Sequence, residues 1–229
     1  MATGYFVTGT DTGVGKTLIA AALMKQQAAL GLRVAGMKPV ASGCRPTAAG
    51  LRNDDAVLLE QQATARHPYS RVNPYAFAPA IAPHLAAVAA GVTIELPLLV
   101  SAYQELALDA DVVIVEGAGG WRVPTGPVGL LSDFPEALAL DVILVVGLRL
   151  GCLNHALLTS EAIAGGARSR LVGWVGNGID PTFSPAEENI ETLRQRIPAP
   201  CLGVVPPLAT PTLDAVWARL QPPRPTSSR

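Results

Sequence analysis

Gly9-Thr10-Asp11-Thr12-Gly13-Val14-Gly15-Lys16-Thr17 separates two segments of opposite local preference. Before it, Tyr5 to Thr8 reads as a short buried strand; after it, the Ala, Leu, Met and Gln content of Thr17 to Leu30 favours helix. A glycine-rich turn in that place can aim successive backbone N–H groups and the positive end of a helix at phosphate oxygens. Lys16 adds a mobile cation, and Thr17 offers its hydroxyl to Mg²⁺. The loop is a variant, because Thr10 stands where the strict G-x-x-x-x-G-K-[ST] pattern has its first glycine. Its Gly-Lys-Thr ending and strand–helix context favour a phosphate cradle over a turn that merely starts a helix.

Working outward, Gly31 supplies a helix stop and Arg33 to Lys38 reads as a second strand. Further β-rich runs fall at Val112 to Val115, Val142 to Val146, Leu171 to Val175 and Cys201 to Val205, interleaved with helix-compatible stretches. Unbroken apolar runs suit parallel strands covered on both faces, not strands with one wet face. The expectation is an α/β fold: a three-layer P-loop domain with a mostly parallel central sheet covered by helices. It would run as a single domain over residues 1–221, with 222–229 as a flexible tail and Asn73 to Pro83 as an ordered connection.

Composition bounds the function. Of 229 residues, 49% are apolar and 15% charged, which suits a folded core and argues against disorder. A net charge of −1 provides no broad attraction for nucleic acid or anionic membrane. No apolar run reaches the ~20 residues of a membrane-spanning helix. Met1 leads directly into the first strand without the features of a signal peptide. Three scattered cysteines, Cys44, Cys152 and Cys201, form neither a metal-binding spacing nor a disulfide framework. A cytoplasmic protein is expected.

Two more segments carry chemistry. Lys38, in Lys38-Pro39-Val40-Ala41-Ser42-Gly43, lies at the carboxyl end of the second strand, the side on which open α/β sheets bind ligands. It can meet the same phosphates as Lys16, while Ser42 and Gly43 offer donors. Glu116, in Val115-Glu116-Gly117-Ala118-Gly119-Gly120, ends another strand before a glycine turn and is a candidate for Mg²⁺. Asp54 and Asp55 precede an apolar helical segment, so at least one of them is expected to cap it. Spacing alone does not choose between them as a metal ligand.

The phosphate loop, the Lys38 segment, the Glu116 segment and Gly151-Cys152-Leu153-Asn154-His155 together resemble the dethiobiotin synthetases in order and spacing, from about Tyr5 to Leu208. That resemblance implies closure of a ureido ring from 7,8-diaminononanoate, CO2 or bicarbonate, and ATP, with Mg²⁺ as cofactor. It implies Mg²⁺ on Thr17, Asp55 and Glu116. It also implies Lys38 as principal catalytic lysine, with Lys16 and Thr12, and substrate on Ser42, Leu153 and Asn154, the last two across a homodimer interface. Nucleotide contacts are implied at Gly13, Val14, Gly15, Lys16, Thr17, Leu18, Asp55 and Glu116 to Gly119 (with Gly117 and Ala118 between), and at Asn177, Gly178, Pro206, Pro207 and Leu208. Cys152 and His155 are expected to support packing.

The chain departs from the family at two places. Gly13 replaces an acidic residue of some members, and Leu213 falls near an acidic nucleotide contact of others, beside Asp214. The competing readings are a ParA/MinD-like nucleotide switch and an amidotransferase-linked synthetase. The first is weakened by Asp11, which stands where that branch usually carries an extra lysine. The second would need a glutaminase domain for which the chain has no room.

Overall fold

The apolar runs become the strands of one sheet. In the computed structural model, which describes residues 2–183, 186–208 and 210–223, the chain begins β1 (Thr3–Gly9), α1 (Lys16–Ala29), β2 (Val34–Met37), β3 (Val40–Ala41), β4 (Arg45–Thr47), β5 (Gly50–Arg52), α2 (Asp54–Gln62), α3 (Tyr69–Val72), β6 (Tyr75–Ala76) and α4 (Pro83–Ala89). It continues α5 (Leu96–Leu108), β7 (Val112–Glu116), α6 (Asp133–Leu138), β8 (Asp141–Leu148), α7 (Cys152–Ala164), β9 (Arg170–Gly178), α8 (Ala186–Arg196), β10 (Cys201–Val205) and α9 (Leu213–Trp217).

Six strands pair in parallel in the order β10-β9-β8-β1-β7-β2. The chain leaves β1 through α1 and lands at β2, skipping a place that β7 fills later; β8 then adds on the other side of β1. Such a reversal opens a crevice at the carboxyl ends of the strands. Register decides what meets there. Val7 faces Glu116 and Met37 faces Val115, so the residue after β2, Lys38, comes level with Glu116.

Alternation along β1 divides the core. Tyr5 and Val7 pack against α1, α2 and α9 through Ile19, Leu23, Leu59 and Val216. Phe6 points the other way, into Leu99, Tyr103 and Leu106 of α5 and Phe134 of α6. Trp174, Leu144 and Val146 meet α7 and α8 through Ala156, Ile190 and Leu193. All eight residues of β8 are buried, as a central parallel strand requires.

Helix α1 lacks a polar face over Ile19 to Met24, where six successive residues have no exposure. The sheet lies on one side and α2 and α9 on the others, so a helix that is apolar all round is the stable choice. Helix α5 shows the ordinary stripe instead, with Leu99, Ala102, Tyr103 and Leu106 buried and the opposite face open.

The structure adds detail to the expected fold and corrects one local expectation. Asn73 to Pro83 is ordered, as expected: Tyr75–Ala76 pairs in parallel with Val40–Ala41 in a separate two-stranded sheet. Arg45 to Arg52 forms a small antiparallel hairpin that the sequence reading did not foresee. Neither Asp54 nor Asp55 caps α2. Asn53 does, its side-chain oxygen accepting from the Ala56 N–H at 3.2 Å, and both aspartates fall in the first turn. Of the expected tail, residues 224–229 lie outside the described residues.

Candidate active site

The loop after β1 is held in shape by its own chain. Gly13 and Gly15 take left-handed backbone angles, with φ of 74° and 89°. At Gly15 a β-carbon would also run into the Asn177 amide, so glycine is required there twice over. That amide, on a buried side chain at the end of β9, donates to the Val14 carbonyl at 2.9 Å. On the other flank, Asp11 accepts from the Thr12 N–H at 2.7 Å and forms an ion pair with Arg149, which follows β8. The Thr12 N–H and then Arg149 hold the Asp11 carboxyl below its ordinary value, although burial opposes them.

Lys16 opens α1 and folds back so that its Nζ donates to the Asp11 carbonyl at 2.8 Å. It is 6% exposed. Burial, and then the nearby charge of Lys38, push its pKa down to about 8, with only partial compensation from Glu116 and Asp55. An ammonium this poorly satisfied is ready for anionic oxygens.

Lys38 is placed by the end of β2 and surrounded by acceptors. Its Nζ donates to Glu116 Oε1 at 2.7 Å, Asp55 Oδ2 at 2.9 Å and the Gly117 carbonyl at 3.3 Å. Burial works against its charge, yet the two carboxylates outweigh burial and hold its pKa above the ordinary lysine value. Glu116 is the fully enclosed partner: burial raises its carboxyl and Lys38 only partly offsets this. At the half-exposed Asp55 burial is again the largest single influence and raises the carboxyl, but Lys38, with help from Thr17 and Lys16, brings it below its ordinary value.

Thr17 completes the cluster, its hydroxyl donating to Glu116 Oε1 at 2.8 Å. Glu116 Oε2 is buried without a hydrogen-bond partner. Thr17, Asp55 and Glu116 thus present a hydroxyl and two carboxylates around one point, with an unused oxygen among them. No group of three His, Cys, Asp or Glu stands ready to hold a metal among the described residues. The donors present instead fit an ion such as Mg²⁺, which keeps waters and takes phosphate oxygens rather than a closed protein cage.

These side chains line one end of a cleft of about 800 Å³, with Thr12, Gly13, Ser42, Ala118 and Gly119 also in its wall. Ser42 Oγ is buried there and unpartnered. Ile81, Pro83, Val123 and Pro124 give the far wall an apolar character. Val14 and Leu18 lie beneath, packed into the core. Asn177, Gly178, Pro206 and Pro207 gather at the ends of β9 and β10, where Gly178 closely approaches Pro207 and Leu208 packs onto the α1 side.

Leu153 and Asn154 stand apart. They begin α7 outside the cleft of their own chain; Leu153 rests on the core and Asn154 is exposed. His155 is exposed as well, contrary to the packing role expected for it, whereas Cys152 is buried as expected. Asp214 pairs with Lys25 at 2.5 Å. At Gly13, where some relatives carry an acid, a β-carbon would meet open space.

A family model described as an AAA domain matches residues 3–213. ATP-dependent dethiobiotin synthetase BioD of Pseudomonas aeruginosa strain LESB58 is 58% identical over 217 residues, 94% of this chain and 95% of that protein. The protein of the same name from Cellvibrio japonicus is 50% identical over 94% of each chain. The chain belongs to the dethiobiotin synthetase family. With that family it is an ATP-using P-loop ligase of biotin biosynthesis.

Among solved structures, MinD in the MinC:MinD cell division complex of Aquifex aeolicus aligns with a TM-score of 0.59 at 16% identity, over 95% of this chain and 86% of that one. A ParA family ATPase from Chlorobium tepidum gives 0.53 at 17%, over 90% and 85%. These likenesses extend to the fold alone.

Sequence reasoning missed the cap at Asn53 and the Arg149 partner of Asp11. Asn53 carried a usable signal, an Asn directly before an acidic first turn. Arg149 carried none, since its partner Asp11 is 138 positions away.

Proposed function

We propose that the chain forms dethiobiotin from 7,8-diaminononanoate, CO2 and ATP, releasing ADP and phosphate. The observation that carries this reading is the Lys38 ammonium, fixed at hydrogen-bond distance from both Glu116 and Asp55 beside the phosphate loop. In a nucleotide switch the loop needs only to hold ATP; a second enclosed cation beside it suits an anionic acceptor brought up to the γ-phosphate.

One substrate amine captures CO2, losing a proton and becoming a carbamate. A carbamate oxygen attacks the γ-phosphorus as the bond to ADP breaks, giving a carbamic–phosphoric anhydride. The second amine, in its neutral form, then attacks the carbamoyl carbon; phosphate leaves with the bonding pair and the amine nitrogen gives up a proton as the ring closes. Lys16 binds and orients the phosphates, and Lys38 stabilises negative charge shared between carbamate and transferring oxygens. Ser42 Oγ, buried and unpartnered, is positioned to bond the substrate, while Thr12 borders the same space. Thr17, Asp55 and Glu116 would hold Mg²⁺, which when bound neutralises phosphate charge. Asn177 and Pro206 to Leu208 border the base.

Leu153 and Asn154 serve the substrate of a second subunit in this reading, and the enzyme works as a cytoplasmic homodimer. The α7 amino terminus, with Gly151 at φ 91°, would meet the substrate carboxylate there. Purified protein supplied with diaminononanoate, bicarbonate and MgATP is expected to yield dethiobiotin by mass spectrometry. Folded protein that yields none defeats the reading.

A further inference from the structure

Lys38 has a backbone problem that its neighbours solve. β2 ends at Met37, so the Lys38 N–H and carbonyl are beyond the ladder to β7, and Pro39 has no N–H with which to extend the pairing. Both Lys38 groups are instead taken by the end of α3. The Lys38 N–H donates to the Val72 carbonyl at 2.7 Å, and the Asn73 side-chain amide donates to the Lys38 carbonyl, also at 2.7 Å. Asn73 is 3% exposed and fully used: its other N–H donates to the Tyr75 carbonyl at 3.2 Å, and its oxygen accepts from the Tyr69 hydroxyl at 3.2 Å.

Tyr69 then reaches the other half of the cluster. Its hydroxyl oxygen accepts the Asn53 N–H at 2.8 Å, at the residue that caps α2 and lies two positions before Asp55. The Arg52 guanidinium sits over its ring, 4.0 Å from the centroid. One continuous hydrogen-bonded path therefore runs from the backbone of Lys38 through Asn73 and Tyr69 to the start of the helix that carries Asp55.

We infer that Tyr69 and Asn73 are positioning residues, a strut that fixes Lys38 relative to Asp55 and so sets where the ammonium stands in the cleft. Neither side chain borders the cleft, so neither meets the reacting atoms. The inference rests on the proposed role of Lys38 in phosphoryl transfer. A strut of this kind acts on the chemical step, where a displacement of about 1 Å is enough to cost up to ~100-fold, and leaves ATP affinity to the phosphate loop.

The test compares Tyr69→Phe and Asn73→Asp with the unaltered enzyme, measuring kcat and KM for ATP in dethiobiotin formation and the thermal midpoint of each protein. Tyr69→Phe keeps the ring and removes the shared hydroxyl; Asn73→Asp keeps the shape but has no N–H for the Lys38 carbonyl. The expected result is a kcat lowered by about ten-fold in Tyr69→Phe and more in Asn73→Asp, with KM for ATP within about two-fold. The double variant is expected to lose no more than Asn73→Asp alone, because the two residues act in series. A folded Tyr69→Phe enzyme with unchanged kcat and only a lower midpoint, or with raised KM and unchanged kcat, overturns the inference. Should Asn73→Asp fail to fold, Tyr69→Phe decides. Absence of dethiobiotin with the unaltered enzyme would instead count against the proposed function, so the two failures are separable.

Discussion

Lys16 and Lys38 enter the same cleft, both almost closed off from water, and the protein treats them in opposite ways. Lys16 rests on a peptide carbonyl and is pushed toward neutrality; Lys38 sits between carboxylates and is held charged. Burial disfavours both ammoniums, so the difference lies in what compensates it. One cation is left incompletely satisfied for a ligand that carries its own negative charge. The other is stabilised before any ligand comes, and its place is dictated by side chains rather than by the loop.

The sharpest way to break this contrast is to remove each lysine in turn. Lys38→Ala is expected to reduce dethiobiotin formation by about 10³-fold or more while equilibrium ATP binding stays within a few-fold, because charge stabilisation is lost and the cradle is spared. Lys16→Ala is expected to act chiefly on nucleotide affinity, weakening ATP binding by about 10²-fold. Equal losses of ATP binding in both variants would erase the division of labour.

Protonation offers a smaller probe. With its pKa at about 8, Lys16 loses its charge as pH rises through that value, whereas Lys38, held above the ordinary lysine value, keeps its own. ATP affinity measured by calorimetry between pH 7 and pH 9 is expected to fall by about ten-fold at the upper end. Folding stability carries the opposite sign for the same group. The unfolded chain binds the Lys16 proton more tightly, so the penalty of keeping it charged in the fold is present in full below about pH 8 and is relieved toward the unfolded pKa of 10.5. A flat affinity profile would show that Lys16 is not poised in this way.

The smallest effect is expected at the Asp55 end. Asn53→Ala removes the α2 cap and lowers stability by about 1 kcal/mol, read as a shift in the denaturation midpoint, with the Lys16 side of the site unaffected. An unchanged midpoint would place the start of α2 under other control.

What could be read from sequence divides along similar lines. Consecutive residues encode the phosphate loop, and near-continuous apolar runs encode parallel strands, so β1, β7, β8 and β10 were visible directly. Lys38 and Glu116 were legible as strand-end residues, but their contact depends on the β2–β7 register across 78 positions, which no local pattern carries. The cap of α2 was misread because three adjacent residues, Asn53, Asp54 and Asp55, all have capping chemistry, and only the entry angle of the chain selects the first. The β3–β6 pair is two residues per strand, too short for alternation to register. Tyr69 and Asn73 look like ordinary loop-side polar residues until Lys38 leaves the sheet and needs partners for its backbone.

The Asn177 amide, reaching from the end of β9 to the Val14 carbonyl, ties the β9 end and the phosphate loop into one mechanical part. Any larger residue at position 15 would strike it, and any shorter one at 177 would release the loop. On the proposed base contacts, attempts to evolve a different nucleotide preference would have little room at Asn177 itself, and the exposed prolines at 206 and 207 would leave that freedom to the outer rim.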